Sequence, residues 1–143
     1  MNVKTILATK GSDVVTIEPT ADLSAAAKLL SARRIGALVI RGAGGRLSGI
    51  LSERDIVRAL AEHGASALAL PVAQAMTRNV MTCSESDTVA GIMEQMTAGK
   101  FRHIPVVNDG RLVGLVSIGD VVKQRVDEIE RESEALRDYI RSA

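Results

Sequence analysis

Two motifs of the same form, Ser-x-x-Asp, stand at predicted helix starts: Ser52 with Asp55, and Ser117 with Asp120. A serine at the first position caps free backbone N–H groups, and a nearby aspartate suits the positive end of the helix dipole. The same groups suit a sugar phosphate, because a carboxylate accepts from two ribose hydroxyls and free N–H groups receive an anion. Capping explains a single motif equally well, whereas the pair in register favours a ligand.

A basic pair, Arg102 and His103, precedes an apolar run from Ile104 to Val107. A charged side chain at the edge of an apolar strand is costly unless it is solvated or paired. An anion would satisfy both side chains, and a salt bridge between the two halves of the chain is the alternative. Metal binding is disfavoured, because the second histidine, His63, lies in a different element without a cluster of further ligands.

These motifs lie at matching places in an internal repeat. Residues 14–41 align with residues 80–107 at an offset of 66, and the offset becomes 65 after a first loop that is one residue longer. Each copy reads as strand, helix, hairpin and helix, with the second hairpin turning at Asn108-Asp109-Gly110. A repeat of this length indicates two copies of one unit, each too small to bury its apolar face alone.

The first copy is predicted to contain a strand over 14–17, a helix capped by Asp22, a hairpin over 35–40 and 47–51, and a helix that ends near Gly64. We divide the chain into a first unit with an N-terminal lead-in over 1–64, an Ala-rich connector over 65–76, and a second unit with a helical tail over 77–143.

The final helix is predicted to run from about Ser117 to Tyr139. Its apolar positions form a heptad-like stripe interrupted by Ser133, and they are Val122, Val126, Ile129, Leu136 and Ile140. Such a stripe needs a partner, which the sequence leaves as either the other copy or a second chain.

Composition excludes several classes of function. The 143 residues carry a net charge of +1, so nucleic acid and membrane surfaces are not expected partners. No apolar run approaches the roughly 20 residues of a membrane span. The single cysteine, Cys83, allows no internal disulfide and is interpreted as a small half-buried residue rather than a nucleophile. A reducing, cytoplasmic location is therefore predicted.

Three features together resemble the CBS domain pair, or Bateman module: the tandem units, G-I-L-S-E-R-D at 49–55 against G-L-V-S-I-G-D at 114–120, and R-H-I-P-V-V at 102–107. More narrowly, the chain is similar to small stand-alone bacterial CBS-pair proteins. The resemblance implies an α/β (α+β) fold of two β-α-β-β-α units packed with pseudo-twofold symmetry, with an extended C-terminal helix. It implies clefts between the units for AMP, ADP, ATP or NAD, ahead of S-adenosylmethionine, with no obligatory cofactor. It also implies a disc-like homodimer.

The family's ligand residues carry over position by position. Asp55 and Asp120 match ribose-binding aspartates, Ser52 and Ser117 match positions that touch ribose or phosphate, and Arg102 and His103 match a phosphate-binding pair. Arg54 and, more weakly, Lys10 are further phosphate candidates. In one cleft, adenine would lie on the backbone of Ile35, Gly36 and Ala37, and Asp120 would bind the ribose. The opposite cleft would use Val80, Phe101 and Arg102 together with Asp55. Val14, the position matching Val80, completes the predicted ligand-binding set.

The two clefts should differ, because Gly36 and Ala37 stand where the second copy has Arg102 and His103. Whether both clefts bind therefore stays open. The predicted function is an adenine-nucleotide sensor in signal transduction and energy sensing, with no catalysis of its own and an unknown effector protein. The alternatives are a scaffold or dimerisation domain with empty clefts and, third, a nucleotide hydrolase using Glu53 or His103 as base.

Overall fold

The computed structural model describes residues 1–142, which form short strands and six α-helices. The helices are α1 (Val3–Lys10), α2 (Leu23–Arg33), α3 (Glu53–His63), α4 (Val72–Ala75), α5 (Val89–Gly99) and α6 (Ile118–Ser142). The strands are β1 (Thr16–Ile17), β2 (Ala37–Arg41), β3 (Leu47–Ser52), β4 (His103–Asn108) and β5 (Arg111–Ser117). Short 3₁₀ turns occupy Ala43–Gly45 and Gly64–Ala69.

The chain divides into two compact units. The repeat-1 unit comprises residues 13–81 and 109–112, and the repeat-2 unit comprises residues 1–12, 82–108 and 113–142. Within the described residues no helix is both long enough and apolar enough to cross a membrane.

The repeat-1 unit is built on a three-stranded sheet in the order β1-β2-β3. β1 runs parallel to β2, with Thr16 opposite Val39, and β2 runs antiparallel to β3, with Val39 opposite Ile50. The predicted cap of α2 is confirmed, since the Asp22 carboxylate accepts a 2.8 Å hydrogen bond from the Ala25 amide. Aliphatic side chains of the sheet and of α2 and α3 form the core: Leu23, Ala26, Leu30, Leu38, Ile40, Leu51, Ile56 and Ala59.

The repeat-2 unit repeats this pattern around the β4-β5 pair. Its counterpart of β1 is reduced to a parallel bridge between Cys83 and Val106, in which the Val107 amide donates to the Cys83 carbonyl at 2.8 Å. The predicted turn that joins β4 to β5 is confirmed, with Asp109 and Gly110 at φ values of 49° and 76°. Its core contains Val89, Ile92, Met96, Ile104, Val106, Val116 and Val121.

The helices that lead into the two copies are exchanged between the units, which differs from the division expected from the sequence. α1 precedes the first copy but lies in the repeat-2 unit, where Val3, Ile6 and Leu7 join the core. α4 precedes the second copy but lies in the repeat-1 unit, where Val72 and Met76 are buried. The lead-in therefore does not belong with residues 13–64, because its apolar face fills the other copy's core.

Equivalent hydrogen bonds fix both lead-in helices. The Val72 amide donates to the Ala21 carbonyl at 2.7 Å, and the Val3 amide donates to the Asp87 carbonyl at 2.9 Å. Each lead-in also meets a strand glycine at close range. A Cβ atom on Gly49 would lie 2.8 Å from the Thr77 carbonyl oxygen, and a Cβ atom on Gly114 would lie 2.7 Å from a Leu7 methyl group. The two glycines thus provide the space that the lead-in segments occupy.

Candidate functional site

The start of α6 is closed by a reciprocal capping box. The Ser117 amide donates to Oδ2 of Asp120 at 2.9 Å, and the Asp120 amide donates to Oγ of Ser117 at 3.2 Å. The first helical amide, that of Ile118, donates to the Arg102 carbonyl at 2.8 Å. The backbone of Arg102 therefore lies directly beside the Ser117–Asp120 motif.

The start of α3 has the same construction. The Ser52 amide donates to Oδ2 of Asp55 at 2.9 Å, and the capping box is completed by the Ser52 side chain. The Glu53 amide donates to the Gly36 carbonyl at 3.1 Å. Both motifs thus have the capping role that the sequence predicts, and Gly36 takes the backbone place of Arg102.

Lys10 binds the aspartate of the second motif. Its Nζ lies 2.6 Å from Oδ2 of Asp120 and 2.7 Å from the Leu115 carbonyl oxygen. Burial alone would raise the pKa of Asp120, but the hydrogen bonds from Lys10 and Ser117 and the Lys10 charge outweigh it, so the pKa lies below its ordinary value of 3.8. Asp120 is therefore ionised at neutral pH.

The two aspartates differ in how completely their oxygens are used. Asp55 is 4% exposed, and its Oδ1 accepts from Arg58 at 3.2 Å and from Thr77 at 3.4 Å. The Asp120 side chain is 23% exposed, and the hydrogen bonds from Lys10 and from the Ser117 amide both go to its Oδ2. Asp120 is therefore more accessible to solvent than Asp55, whose two oxygens both have internal partners.

The predicted ligand residues divide between the two units. The repeat-2 unit holds Lys10, Phe101, Arg102, His103, Ser117 and Asp120, and the repeat-1 unit holds Val14, Ile35, Gly36, Ala37, Ser52, Arg54, Asp55 and Val80. In the repeat-2 unit, Lys10, Ser117 and Asp120 are joined by side-chain contacts, and Arg102 joins them through its backbone. Arg102 is exposed, His103 is half-buried and Arg54 is exposed. The assignment of adenine to particular residues stays a prediction.

An open groove of about 550 Å³ lies within the repeat-1 unit, between α2 and α3. Its walls are mainly aliphatic, and its charged residues are Arg34 and Glu53. Ile35 and Gly36, two of the predicted adenine residues, line it as well.

Three groups in these contacts were not identified from the sequence: Arg58 and Thr77, which donate to Asp55, and the Leu115 carbonyl, which accepts from Lys10. Arg58 could have been found, because it stands three residues after Asp55 on one helix. Thr77 is 22 positions from Asp55 and carries no comparable local signal. Lys10 was identified only as a phosphate candidate, since its pairing with Asp120 spans 110 positions.

The single cysteine of the chain is shielded from solvent. Cys83 is buried, and desolvation, with a smaller effect from Asp87, raises the pKa of its thiol to about 12. Its thiolate is therefore scarcely populated at neutral pH. Among residues 1–142, no group of three or more His, Cys, Asp or Glu side chains is placed to hold a metal ion.

Comparison with known proteins agrees with the fold and the repeat. The family model of the CBS domain matches residues 3–62 and 72–127, so the chain belongs to the CBS domain family. The CBS-domain containing protein ATU1752 from Agrobacterium tumefaciens is 49% identical, with a TM-score of 0.85 over 87% of this chain and 92% of that one. The predicted α/β CBS-pair fold with an extended C-terminal helix is thereby confirmed, as is the similarity to stand-alone bacterial CBS-pair proteins.

Two further relatives bear on function. The mitochondrial CBS domain-containing protein CBSX3 of Arabidopsis thaliana is 37% identical over 119 residues, which are 80% of this chain and 58% of that protein. The chain thus spans less than two thirds of this curated relative. The CBS domain pair of protein MJ0100, solved in complex with 5′-methylthioadenosine and S-adenosyl-L-methionine, is 30% identical, with a TM-score of 0.79 over 90% of this chain and 98% of that one.

Proposed function

We propose that this chain is a regulatory module that binds an adenosine-containing ligand, with the ribose held by Asp120. One observation carries the proposal: Oδ2 of Asp120 is fixed by Ser117 and Lys10, while the Asp120 side chain remains 23% exposed. A carboxylate held in this way is oriented in advance and can still accept from a sugar hydroxyl. The adenosine-containing ligands of the MJ0100 pair support the same ligand class.

The positive charge of Lys10 beside Asp120 favours a ligand that carries phosphate. The Lys10 ammonium group uses two acceptors, Asp120 and the Leu115 carbonyl, and has a third N–H for an anion. Arg102, whose backbone carbonyl accepts from the first amide of α6, is exposed, and within residues 1–142 its guanidinium forms no salt bridge. We therefore expect AMP, ADP, ATP or NAD to bind more tightly than S-adenosylmethionine, whose sulfonium carries positive charge.

The structure gives less support for ribose binding at Asp55 than at Asp120. Since both of its oxygens have protein partners and the side chain is 4% exposed, ribose binding there would require Arg58 or Thr77 to withdraw. We propose that Asp55 mainly stabilises α3, so that the protein binds one ligand more tightly than a second. The ligand then acts as a signal for an effector protein, through a cytoplasmic homodimer without catalysis of its own.

Isothermal titration calorimetry with AMP, ATP, NAD, S-adenosylmethionine and 5′-methylthioadenosine tests this proposal. Asp120→Asn should weaken binding of the preferred ligand about tenfold or more, which corresponds to roughly 1.4 kcal/mol. Asp22→Asn is the matched control, because Asp22 also caps a helix through one 2.8 Å bond but stands outside the repeated motif. Equal affinity in wild type and Asp120→Asn would contradict the assignment of ribose to Asp120.

The second candidate function is a scaffold or dimerisation domain with empty sites. The internal engagement of Asp55 favours it, since that aspartate is fully accounted for by helix capping and packing. A thermal-shift screen with the same five compounds separates the two functions. A ligand at 100 times its Kd should stabilise the protein by about 2.7 kcal/mol, and no shift with any compound would favour the scaffold.

A further inference from the structure

The last part of α6 has no covering within its own chain. All residues of the described helix from 129 to 142 are exposed, although α6 continues to Ser142 without a break. A helix segment of this length is marginally stable in water without tertiary packing. This exposed half of α6 therefore needs a partner surface to keep its conformation.

The exposed apolar residues of α6 follow an unbroken heptad spacing. Val126 and Ile140 fall on a positions, Val122, Ile129 and Leu136 fall on d positions, and Ser133 occupies the remaining a position. Their exposed fractions are 45% for Val122 and Val126, 51% for Ile129, 60% for Leu136 and 64% for Ile140. An a/d stripe of this kind is the contact face of a two-stranded coiled coil, and one polar a position helps to fix its register.

The charges beside the stripe indicate which surface it fits. The g positions include Arg125 and Glu132, and the e positions include Glu130 and Arg137. In a parallel pair each g residue faces the e residue five positions further along the second helix. Arg125, which also binds Glu128 on its own helix at 2.9 Å, then faces Glu130 of the second copy, and Glu132 faces Arg137 of the second copy.

Both g-to-e contacts are attractive, and twofold symmetry makes each occur twice. An antiparallel pair that sets Ser133 opposite Leu136 would retain the attraction between Glu130 and Arg137, but it would set Glu132 against Tyr139. The parallel arrangement between identical helices therefore satisfies more of the charges. We propose that residues 122–140 of two copies of this chain form a parallel two-stranded coiled coil.

The proposal does not depend on ligand binding, because Asp120 lies at the opposite end of α6 from the exposed half. It fixes the relative direction of the two copies, since the twofold axis of a parallel coiled coil runs along the helices. The two copies of Asp120 are then held at the same end of the pair.

Disulfide trapping tests the helix direction. In a Cys83→Ala background, single variants Val126→Cys and Ser133→Cys place one thiol on successive a positions, and Asp138→Cys places a control thiol on the outer f position. A parallel coiled coil aligns each a residue with its own copy, so both a-position variants should form covalent dimers within minutes of mild oxidation, at least about tenfold faster than the control.

The alternatives give different patterns. An antiparallel pair has a single crossing point, so at most one of the two a-position variants would cross-link rapidly, and this result would overturn the proposal. Slow cross-linking of both variants at the rate of Asp138→Cys would also overturn it and would leave a different protein as the partner of the stripe.

A charge exchange tests the register with the same readout. Glu132→Arg or Arg137→Glu alone should slow cross-linking at Ser133→Cys by about tenfold, because each places like charges opposite one another twice. The double variant Glu132→Arg/Arg137→Glu should return to within about threefold of the original rate. A double variant as slow as either single variant would show that positions 132 and 137 do not face each other, which overturns the parallel register.

Discussion

Replacing Lys10 by methionine is expected to remove the contact that fixes the end of α1 to the Asp120 carboxylate. Methionine keeps a similar unbranched side chain but provides no charge and no hydrogen bond. A charged hydrogen bond contributes about 1.5–3 kcal/mol when it is shielded, and an exposed ion pair contributes about 0–1 kcal/mol. Since the Lys10 side chain is 34% exposed and that of Asp120 is 23% exposed, we expect Lys10→Met to lower the free energy of unfolding by about 1–2 kcal/mol.

Urea denaturation at pH 7 measures this loss, and a double-mutant cycle with Asp120→Asn isolates the pair. The coupling between the two substitutions should be about 1 kcal/mol. Lys4→Met is the control, because Lys4 is an exposed lysine on the same helix outside this contact. Hydrogen exchange should also show faster opening of α1 in Lys10→Met than in Lys4→Met, since Lys10 is the last residue of that helix.

The pH dependence of the free energy of unfolding tests the Lys10–Asp120 contact independently. The pKa of Asp120 is below 3.8 in the folded protein, so its contribution to stability is fully present above about pH 4 and is lost as the pH falls through the lowered value. The difference in unfolding free energy between wild type and Lys10→Met should therefore shrink below about pH 4. A Lys10→Met protein as stable as wild type at pH 7, with the same acid profile, would refute the reasoning.

Three further predictions concern the two strand glycines, the buried Asp55 and the single cysteine. Gly49→Ala should lower the free energy of unfolding by about 1–3 kcal/mol, and Gly114→Ala should cost less, because the first Cβ meets a backbone oxygen and the second meets a flexible leucine; equal losses in chemical denaturation would contradict this. Asp55→Ala should cost about 2 kcal/mol or more, since it removes a buried helix cap, and a loss below about 0.5 kcal/mol would show that the capping box contributes little. The Cys83 thiol should react with a maleimide at pH 8 at least about a hundredfold more slowly in the native protein than in urea, and comparable rates would exclude its burial and raised pKa.

The repeat and its capping motifs could be predicted from the sequence because their signals are local. Asp55 and Asp120 each stand three residues after a serine, and Asp109-Gly110 marks a tight turn. Each of these features depends only on residues a few positions apart, within one β-turn or one turn of an α-helix. The structure accordingly has its helices and hairpins close to the positions that the sequence predicts.

The exchange of the lead-in helices could not be predicted in the same way. The spacing of apolar residues in α1 does not show which copy's core the helix packs into. Tertiary contacts, such as that of Leu7 with Gly114, determine it. Lys10 reaches Asp120 only as a consequence of that packing. A pairing that spans 110 positions leaves no periodic signal in a single sequence.

The same limit applies to the difference between the two aspartates. The motifs are identical in sequence at their serine and aspartate, yet Asp55 is buried against Arg58 and Thr77 while the Asp120 side chain remains 23% exposed. Thr77 contacts Asp55 because it follows α4, the lead-in helix of the repeat-1 unit. The asymmetry expected from Gly36 and Arg102 is thus joined by a second one that arises from the lead-in segments.

The exchanged lead-in helices also bear on how such a chain could arise by gene duplication. A polypeptide that contained only one copy with its own leading helix could complete its core by domain swapping, in which two molecules exchange their leading helices. The ancestral form would then be a domain-swapped dimer. Fusion of two such genes end to end would turn the exchange between two molecules into an exchange within one chain.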